Sequence, residues 1–414
     1  MRATVLVALA LLGFASGVSY DGYKVYKVVP KTEIENVYLN SLASSADFDF
    51  WSTINKVGNP VTVMASPKVQ RMFEDYLKTN NLEYNVEIEN VESTIEAERQ
   101  YHRSKEALKS GRISFDQYLR HDQINAYLDQ LAKDYPDTVT LESFGQSYEK
   151  RQMNLVRISS GSSSSKPVIF VDAGIHAREW IAPATALYLI NQLVENPANS
   201  DLIRDVDWII LPCLNPDGYE YSWNSDRLWR KTVSPGSLCN GCDANRNFDF
   251  HWMEAGASSW ECSETYAGKQ AFSEVEARHL RDYLAKTANI KAYLTLHSYG
   301  QYLLYPWGYG NVLPDNWREL DDLGHQVDNA IRAVSGTRYT IGSSTQVLYA
   351  AAGASDDWAM GGAGIDIVYT IELPGGGVYG FDLPASRIQG VVVETFEGFK
   401  VYADYVAKNR KIDN

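Results

Sequence analysis

Apolar and polar positions divide the chain into three stretches. The first is short: Met1-Arg2 place a positive end ahead of the apolar residues 3–15, and the small residues Ala15-Ser16-Gly17 follow. An apolar run of that length falls short of the ~20 residues that span a bilayer. Positive end, apolar run and small residues are the order of a secretory signal peptide, so residues 1–17 are expected to be removed and the chain secreted.

The second stretch alternates in type. Residues 22–29 (GYKVYKVV), 48–51, 60–64 (PVTVM) and 83–89 (EYNVEIE) read as strands. Residues 32–42 read as a helix entered after Pro30-Lys31, and 68–77 as a helix opened by Ser66-Pro67. The order βαββαβ predicts a small α+β, ferredoxin-like unit. At roughly 75 residues it is marginal alone and gains from docking on something larger. Residues 91–112 (VESTIEAERQYHRSKEALKSGR) are charged and helix-forming. They read as an exposed helical linker in which Lys105, Lys109 and Arg112 offer trypsin-type cleavage points. Residues 18–112 are taken as one such unit with its linker.

Residues 113–414 alternate strands and helices. Residues 167–173 (PVIFVDA) and 206–213 (VDWIILPC) are near-continuous apolar runs, as strands buried on both faces should be. Helices are expected over 182–194, 273–286 and 386–408, and strands over 291–296 and 366–371. The predicted class is α/β: a mixed, mostly parallel twisted sheet covered by helices on both faces. Residues 162–165, all serine, read as a loop.

Composition narrows the function classes. The chain is 45% hydrophobic and 12% aromatic, which excludes disorder as the global state. Its net charge of -14 does not support nucleic-acid binding. No later stretch reads as a membrane span, and the mature protein is read as a monomer. The cysteines are Cys213, Cys239, Cys242 and Cys262. Secretion permits disulfides, and sequence alone leaves three full pairings open. Cys239-x-x-Cys242 lacks a second pair to complete a structural zinc site.

In open α/β sheets, sites gather at the carboxyl ends of strands. The strand at 167–173 runs into Gly174-Ile175-His176-Ala177-Arg178-Glu179, that at 291–296 into His297, and that at 366–371 into Glu372. His176-x-x-Glu179 can reach one ion from a single turn. His297 as a third ligand would leave the fourth position open for water, the pattern of a catalytic zinc. Of the seven His, His102 falls in the linker, His121, His279 and His325 in polar helical settings, and His251 after an aromatic loop, where it is the competing third ligand. Glu372 beside a metal-activated water would be a general base.

The segments GIHAREW, NPDGY, RLWRK, DANRNF, CSETYAGK, LHSYGQYLLYPWG, SDDW, IEL and YGFDLPAS occur in order. With them the chain resembles the secreted zinc metallocarboxypeptidases of the digestive carboxypeptidase A/B family in their zymogen form, over residues 20 to 414. The resemblance implies one Zn²⁺ on His176, Glu179 and His297, with Glu372 as base and Arg230 stabilising the oxyanion. Asn245, Arg246 and Tyr349 would hold the terminal carboxylate of a peptide or protein substrate, and Arg178 would contact it further upstream. It also implies a Cys239–Cys262 disulfide and a pro-domain removed by a trypsin-like protease near Arg112. Asp356 stands where the family reads the C-terminal side chain, and an acidic residue there goes with Lys or Arg ends; Ser344 and Gly308, also in the pocket, do not oppose this. Two rivals remain: carboxypeptidase A-like specificity for aromatic or aliphatic ends, and a zinc-containing peptide-binding module without turnover. The absence of GxSxG and HExxH sets aside serine-hydrolase and thermolysin-type readings.

Overall fold

Two sheets organise the chain, one of four strands in the order β2-β3-β1-β4 and one of eight. The computed structural model describes residues 17–43, 45–52, 57–106, 113–161, 166–375 and 380–409. Residues 1–16 of the signal segment, the cleavage points Lys109 and Arg112 and the serine loop 162–165 lie outside them.

The smaller unit has the predicted order: β1 (Lys24–Val29), α1 (Glu33–Leu42), β2 (Phe48–Phe50), β3 (Val61–Ala65), α2 (Pro67–Thr79) and β4 (Glu83–Ile88). Every neighbouring strand pair is antiparallel, as a ferredoxin-like sheet requires. Thr32 and Glu35 form a capping box that starts α1. Strand alternation gives the sheet two apolar faces. Tyr26, Val28, Val61 and Val63 pack under Leu39, Phe73 and Leu77 of the helices. Val25, Met64 and Ile88 face the other way, onto Leu228 and Phe381 of the larger domain. The marginal unit thus gains its second core by docking.

The exposed linker expected over 91–112 needs correction. Helix α3 (Val91–Glu106) buries Val91, Ile95, Glu98 and His102. Their spacing of three and four puts them on one face. Charge does not keep this face in water because Glu98 has a buried counter-ion and His102 packs among aromatic rings. Glu98 Oε2 accepts from Arg227 Nε at 2.5 Å and Oε1 from Arg227 Nη2 at 3.2 Å. His102 lies against the rings of Tyr118, Trp180 and Trp223.

The larger domain continues with α4 (His121–Asp134), β5 (Val139–Gln146), β6 (Gln152–Ile158), β7 (Val168–Ala173), α5 (Ile181–Val194), β8 (Asp207–Leu211), α6 (Pro216–Asn224), α7 (Val275–Lys286) and β9 (Ile290–Ser298). After these come β10 (Tyr302–Tyr305), α8 (Trp317–Ser335), β11 (Thr340–Ser343), α9 (Ser344–Val347), α10 (Ser355–Gly361), β12 (Ile367–Leu373) and α11 (Ile388–Asn409). The sheet order is β11-β10-β12-β9-β7-β8-β6-β5. Its centre, β12-β9-β7-β8, is parallel throughout. Ile169, Val171 and Ala173 of β7 face the side of α5, α8 and α11, while Val168 and Phe170 face α7 and Trp358 of α10. Continuous apolar strands are therefore covered on both faces. His121 starts α4 among polar partners, its Nε2 2.9 Å from the Gln152 carbonyl and 3.1 Å from Asn125 Nδ2, and it is buried there.

Candidate metal centre

Three buried side chains meet at the carboxyl edge of the parallel strands. Beyond β7, Gly174 takes φ +69, where a Cβ would stand 3.1 Å from Pro183 Cγ. That turn presents His176 and Glu179 just before α5. His297 and Glu372 sit inside β9 and β12 rather than beyond their ends, because the two strands stay paired in register through Glu372↔His297. His176 Nδ1 is 2.8 Å from Glu179 Oε1, and His297 Nδ1 is 3.1 Å from Glu179 Oε2. The two Nδ1 atoms are 3.2 Å apart. All the ligand atoms lie within 4.8 Å of one another.

This donor set fits a metal ion. Asp243 Oδ1 lies 3.1 Å from His176 Nε2. Burial would raise the Asp243 carboxyl, but Arg230, His176 and Arg246 hold it well below the usual range. Burial and Arg230 lower His176, favouring the neutral ring. A neutral His176 donating from Nε2 points a lone pair from Nδ1 at a carboxylate oxygen 2.8 Å away, which is unfavourable unless a cation lies between them. A carboxylate–histidine pair behind the ligand is the usual support of a zinc site. Ser298 N donates to Glu179 Oε2 at 3.1 Å and steadies that carboxylate.

Asp243 is the residue that motif reading alone passed over. It stands inside DANRNF, and only the fold shows that it joins several parts of the site. Its Oδ2 accepts from Arg230 Nη2 at 2.9 Å and Nε at 3.2 Å, and its Oδ1 accepts from Asn245 N at 2.9 Å. Arg230 Nη1 is thereby left 3.9 Å from Glu179 Oε1, beside the metal ligands. Against the desolvation that lowers it, Asp243 keeps the Arg230 guanidinium firmly charged. Glu372 lines the same cleft. Burial first of all raises its carboxyl to about 8, against the pull of His297.

The cleft has a volume of about 1410 Å³ and also reaches Asn245, Arg246, Tyr349 and Asp356. Asn245 Oδ1 accepts from Ser355 N at 2.9 Å, so its Nδ2 donors are the part left for a ligand. Arg246 is tied to the carbonyls of Gly256 and Asn245 through Nε and Nη1. Its Cζ lies 5.8 Å from the Tyr349 ring. Asp356 is buried, its Oδ2 accepting from Thr370 Oγ1 at 2.9 Å and its Oδ1 from Asp357 N at 2.9 Å. Ser344 and Gly308 line the same space. Asp357 does other work, accepting from Gly308 N and Tyr309 N at 2.8 Å each.

The smaller unit covers one wall. Asp49 Oδ2 accepts from Arg178 Nη1 at 2.9 Å, and the Arg178 Cζ lies 4.1 Å from the Phe381 ring centroid. Cys239 and Cys262 form a disulfide, whereas Cys213 and Cys242 are free and buried. His251 pairs with Glu254 at 2.7 Å and stacks on Tyr309, apart from the metal cluster.

Comparison with known proteins agrees with this geometry. Residues 124–398 match the family described as zinc carboxypeptidase, and residues 26–98 match the carboxypeptidase activation peptide. The chain is 52% identical to carboxypeptidase B of Astacus astacus over 299 residues, covering 71% of this chain and 98% of that protein. Carboxypeptidase B of Rattus norvegicus is 37% identical, with 99% of each chain covered. The crystal structure of the carboxypeptidase A from Helicoverpa armigera superposes with a TM-score of 0.87 at 38% identity, over 94% of this chain and 98% of that one. The chain belongs to the zinc carboxypeptidase family, and is a zinc-dependent metallocarboxypeptidase carrying its activation peptide as a zymogen.

Proposed function

We propose that this zymogen is secreted and that, once residues 18–112 are cut away near Arg112 by a trypsin-like protease, the enzyme releases single Lys or Arg residues from peptide C-termini. One observation carries the specificity. Asp356 is a buried carboxylate in the cleft, and no Lys or Arg among the described residues pairs with it. A buried charge without a counter-ion is costly, and the side chain of a basic C-terminal residue would supply one.

His176, Glu179 and His297 would hold a zinc ion, whose Lewis acidity would lower the pKa of a water and polarise the scissile carbonyl. Glu372, with its raised proton affinity, accepts the proton of the attacking water and returns it to the departing amine. Arg230, held by Asp243, offers fixed positive charge to the developing oxyanion. Asn245 Nδ2 and the Arg246 guanidinium hold the terminal carboxylate, Tyr349 closes over it, and Arg178 binds the peptide upstream. Each hydrolysis adds OH to the carbonyl carbon and H to the amine nitrogen.

The test takes the purified zymogen before and after brief trypsin treatment, with and without a zinc chelator, on blocked dipeptides ending in Arg or Phe. Chelator-sensitive release of Arg only after trypsin is the expected result. Release of Phe in preference to Arg would overturn the Asp356 assignment, and release of neither would favour a binding module.

A further inference from the structure

We propose that Asn215 is a positioning residue of the reaction: its side-chain amide fixes the turn that carries His176 against the chain segment that carries Arg230. This rests on the reading of Arg230 as the group that stabilises the oxyanion.

NPDGY is a motif with no part in the chemistry proposed above. Its Asn215 caps α6, the side-chain Oδ1 accepting from Gly218 N at 2.9 Å. Capping needs only that oxygen, which Ser, Thr or Asp would supply as well. The Asn215 side chain does more. It is completely buried, and its Nδ2 donates to the Ile175 carbonyl at 3.2 Å and to the Lys231 carbonyl at 3.0 Å. Both amide hydrogens are thus taken up by carbonyls of two segments distant in the chain. Among side chains of this length only Asn offers one acceptor and two donors in a single fork.

Ile175 stands directly before the metal ligand His176, and Lys231 directly after Arg230. Backbone bonds close the same junction: Ala177 N donates to the Arg230 carbonyl at 2.9 Å, and Asn215 N to the Gly174 carbonyl at 3.0 Å. Gly218 shows how tight it is, since a Cβ there would stand 2.4 Å from the Lys231 carbonyl oxygen and 2.5 Å from Asn215 Nδ2. Asp243 orients the Arg230 guanidinium, and Asn215 fixes the main chain from which that guanidinium extends. A fixed charge stabilises an oxyanion only where it is already aimed when the negative charge develops. That need arises in the transition state, so loosening the junction should lower kcat and leave KM nearly unchanged.

The test compares the trypsin-activated wild type with Asn215→Ser, which keeps a capping oxygen and lacks the two amide donors, on whichever of the Arg- and Phe-ended substrates is cleaved. The expected result is a kcat lower by at least about tenfold with KM within about threefold. Amide exchange at Ala177 N, beside the loosened junction, should quicken by at least about tenfold. In an Arg230→Ala background the same substitution should change kcat by less than about threefold, because the group it positions is gone. Gly218→Ala leaves Asn215 in place but crowds the Lys231 carbonyl; it should give the same pattern, and it decides the matter if Asn215→Ser does not fold. A kcat within about twofold of wild type, or a loss of equal size with and without Arg230, would overturn the proposal. If Arg230→Ala alone leaves kcat unchanged, the oxyanion reading fails and the proposal falls with it. A fall in Arg230→Ala without one in Asn215→Ser strikes the proposal only.

Discussion

Two arginines, Arg178 and Arg227, face the activation segment, and the segment treats them differently. Both are buried, and each meets one carboxylate from it. Arg227 engages all three nitrogens: Nε and Nη2 bond Glu98, Nη1 bonds the Arg178 carbonyl at 2.9 Å, and Nη2 also bonds the Phe381 carbonyl at 2.9 Å. Its Cζ lies 3.7 Å from the Trp180 ring centroid. Arg178 engages only Nη1, with Asp49 at 2.9 Å and the Leu228 carbonyl at 3.3 Å. Engagement of every nitrogen marks Arg227 as an anchor for α3. The spare donor on Arg178, covered by Asp49, is in keeping with the substrate contact proposed for it.

Breaking the two contacts should therefore have unequal effects. Glu98→Ala removes the partner of a buried guanidinium, a loss of about 3–5 kcal/mol when the partner charge cannot relax. The expected readouts are loss of amide-exchange protection along α3 and release of the nicked activation segment at least a hundredfold faster, roughly the same energy. Asp49→Ala leaves Arg178 its carbonyl, Glu264 and solvent, and should cost about 1 kcal/mol, less than a tenfold change in release. Equal effects would erase the distinction between anchor and substrate group.

A smaller effect sharpens it. Around Arg227, burial and the guanidinium lower His102 to about 4 from 6.5. Burial raises Asp382 to about 7 from 3.8; Thr94 opposes the rise, Glu98 adds to it and Arg227 opposes it. Docking of α3 takes a proton from His102, so docking weakens as pH falls from 6.5 towards 4. Docking gives a proton to Asp382, so docking weakens as pH rises from 3.8 to 7. Over the shared window the two cancel and wild-type release should be nearly flat. His102→Gln should make release faster with rising pH, and Asp382→Asn faster with falling pH, each by up to about tenfold per pH unit. Parallel slopes in the two variants would show that these groups do not titrate with docking.

Much of this architecture is legible in the chain because strands buried on both faces, β7 and β8, leave uninterrupted apolar runs, and the alternation of the smaller unit leaves its own pattern. Other elements are harder to read. Strand β5 lies at the sheet edge and mixes buried and exposed positions without regular alternation. Helix α8 carries Leu320, Leu323, Val327 and Ile331 on one face, but Gly324 interrupts it in sequence. In the fold that glycine is a close approach, since a Cβ there would stand 2.8 Å from Ile341 Cγ2. The buried face of α3 is hidden by charged Glu98, whose partner Arg227 lies 129 positions away in the chain. Motifs located His176, Glu179, His297 and Glu372. The role of Asp243 appears only when Arg230, His176 and Asn245 converge on it.

The most direct test of the account is the ratio of kcat/KM for an Arg-ended over a Phe-ended substrate in the activated enzyme and in Asp356→Ile. The account predicts a ratio far above one in the wild type that falls by about a hundredfold or more in the variant, chiefly through the Arg-ended substrate, as loss of a buried ion pair implies. An unchanged ratio, or a wild type that already prefers Phe, would contradict it.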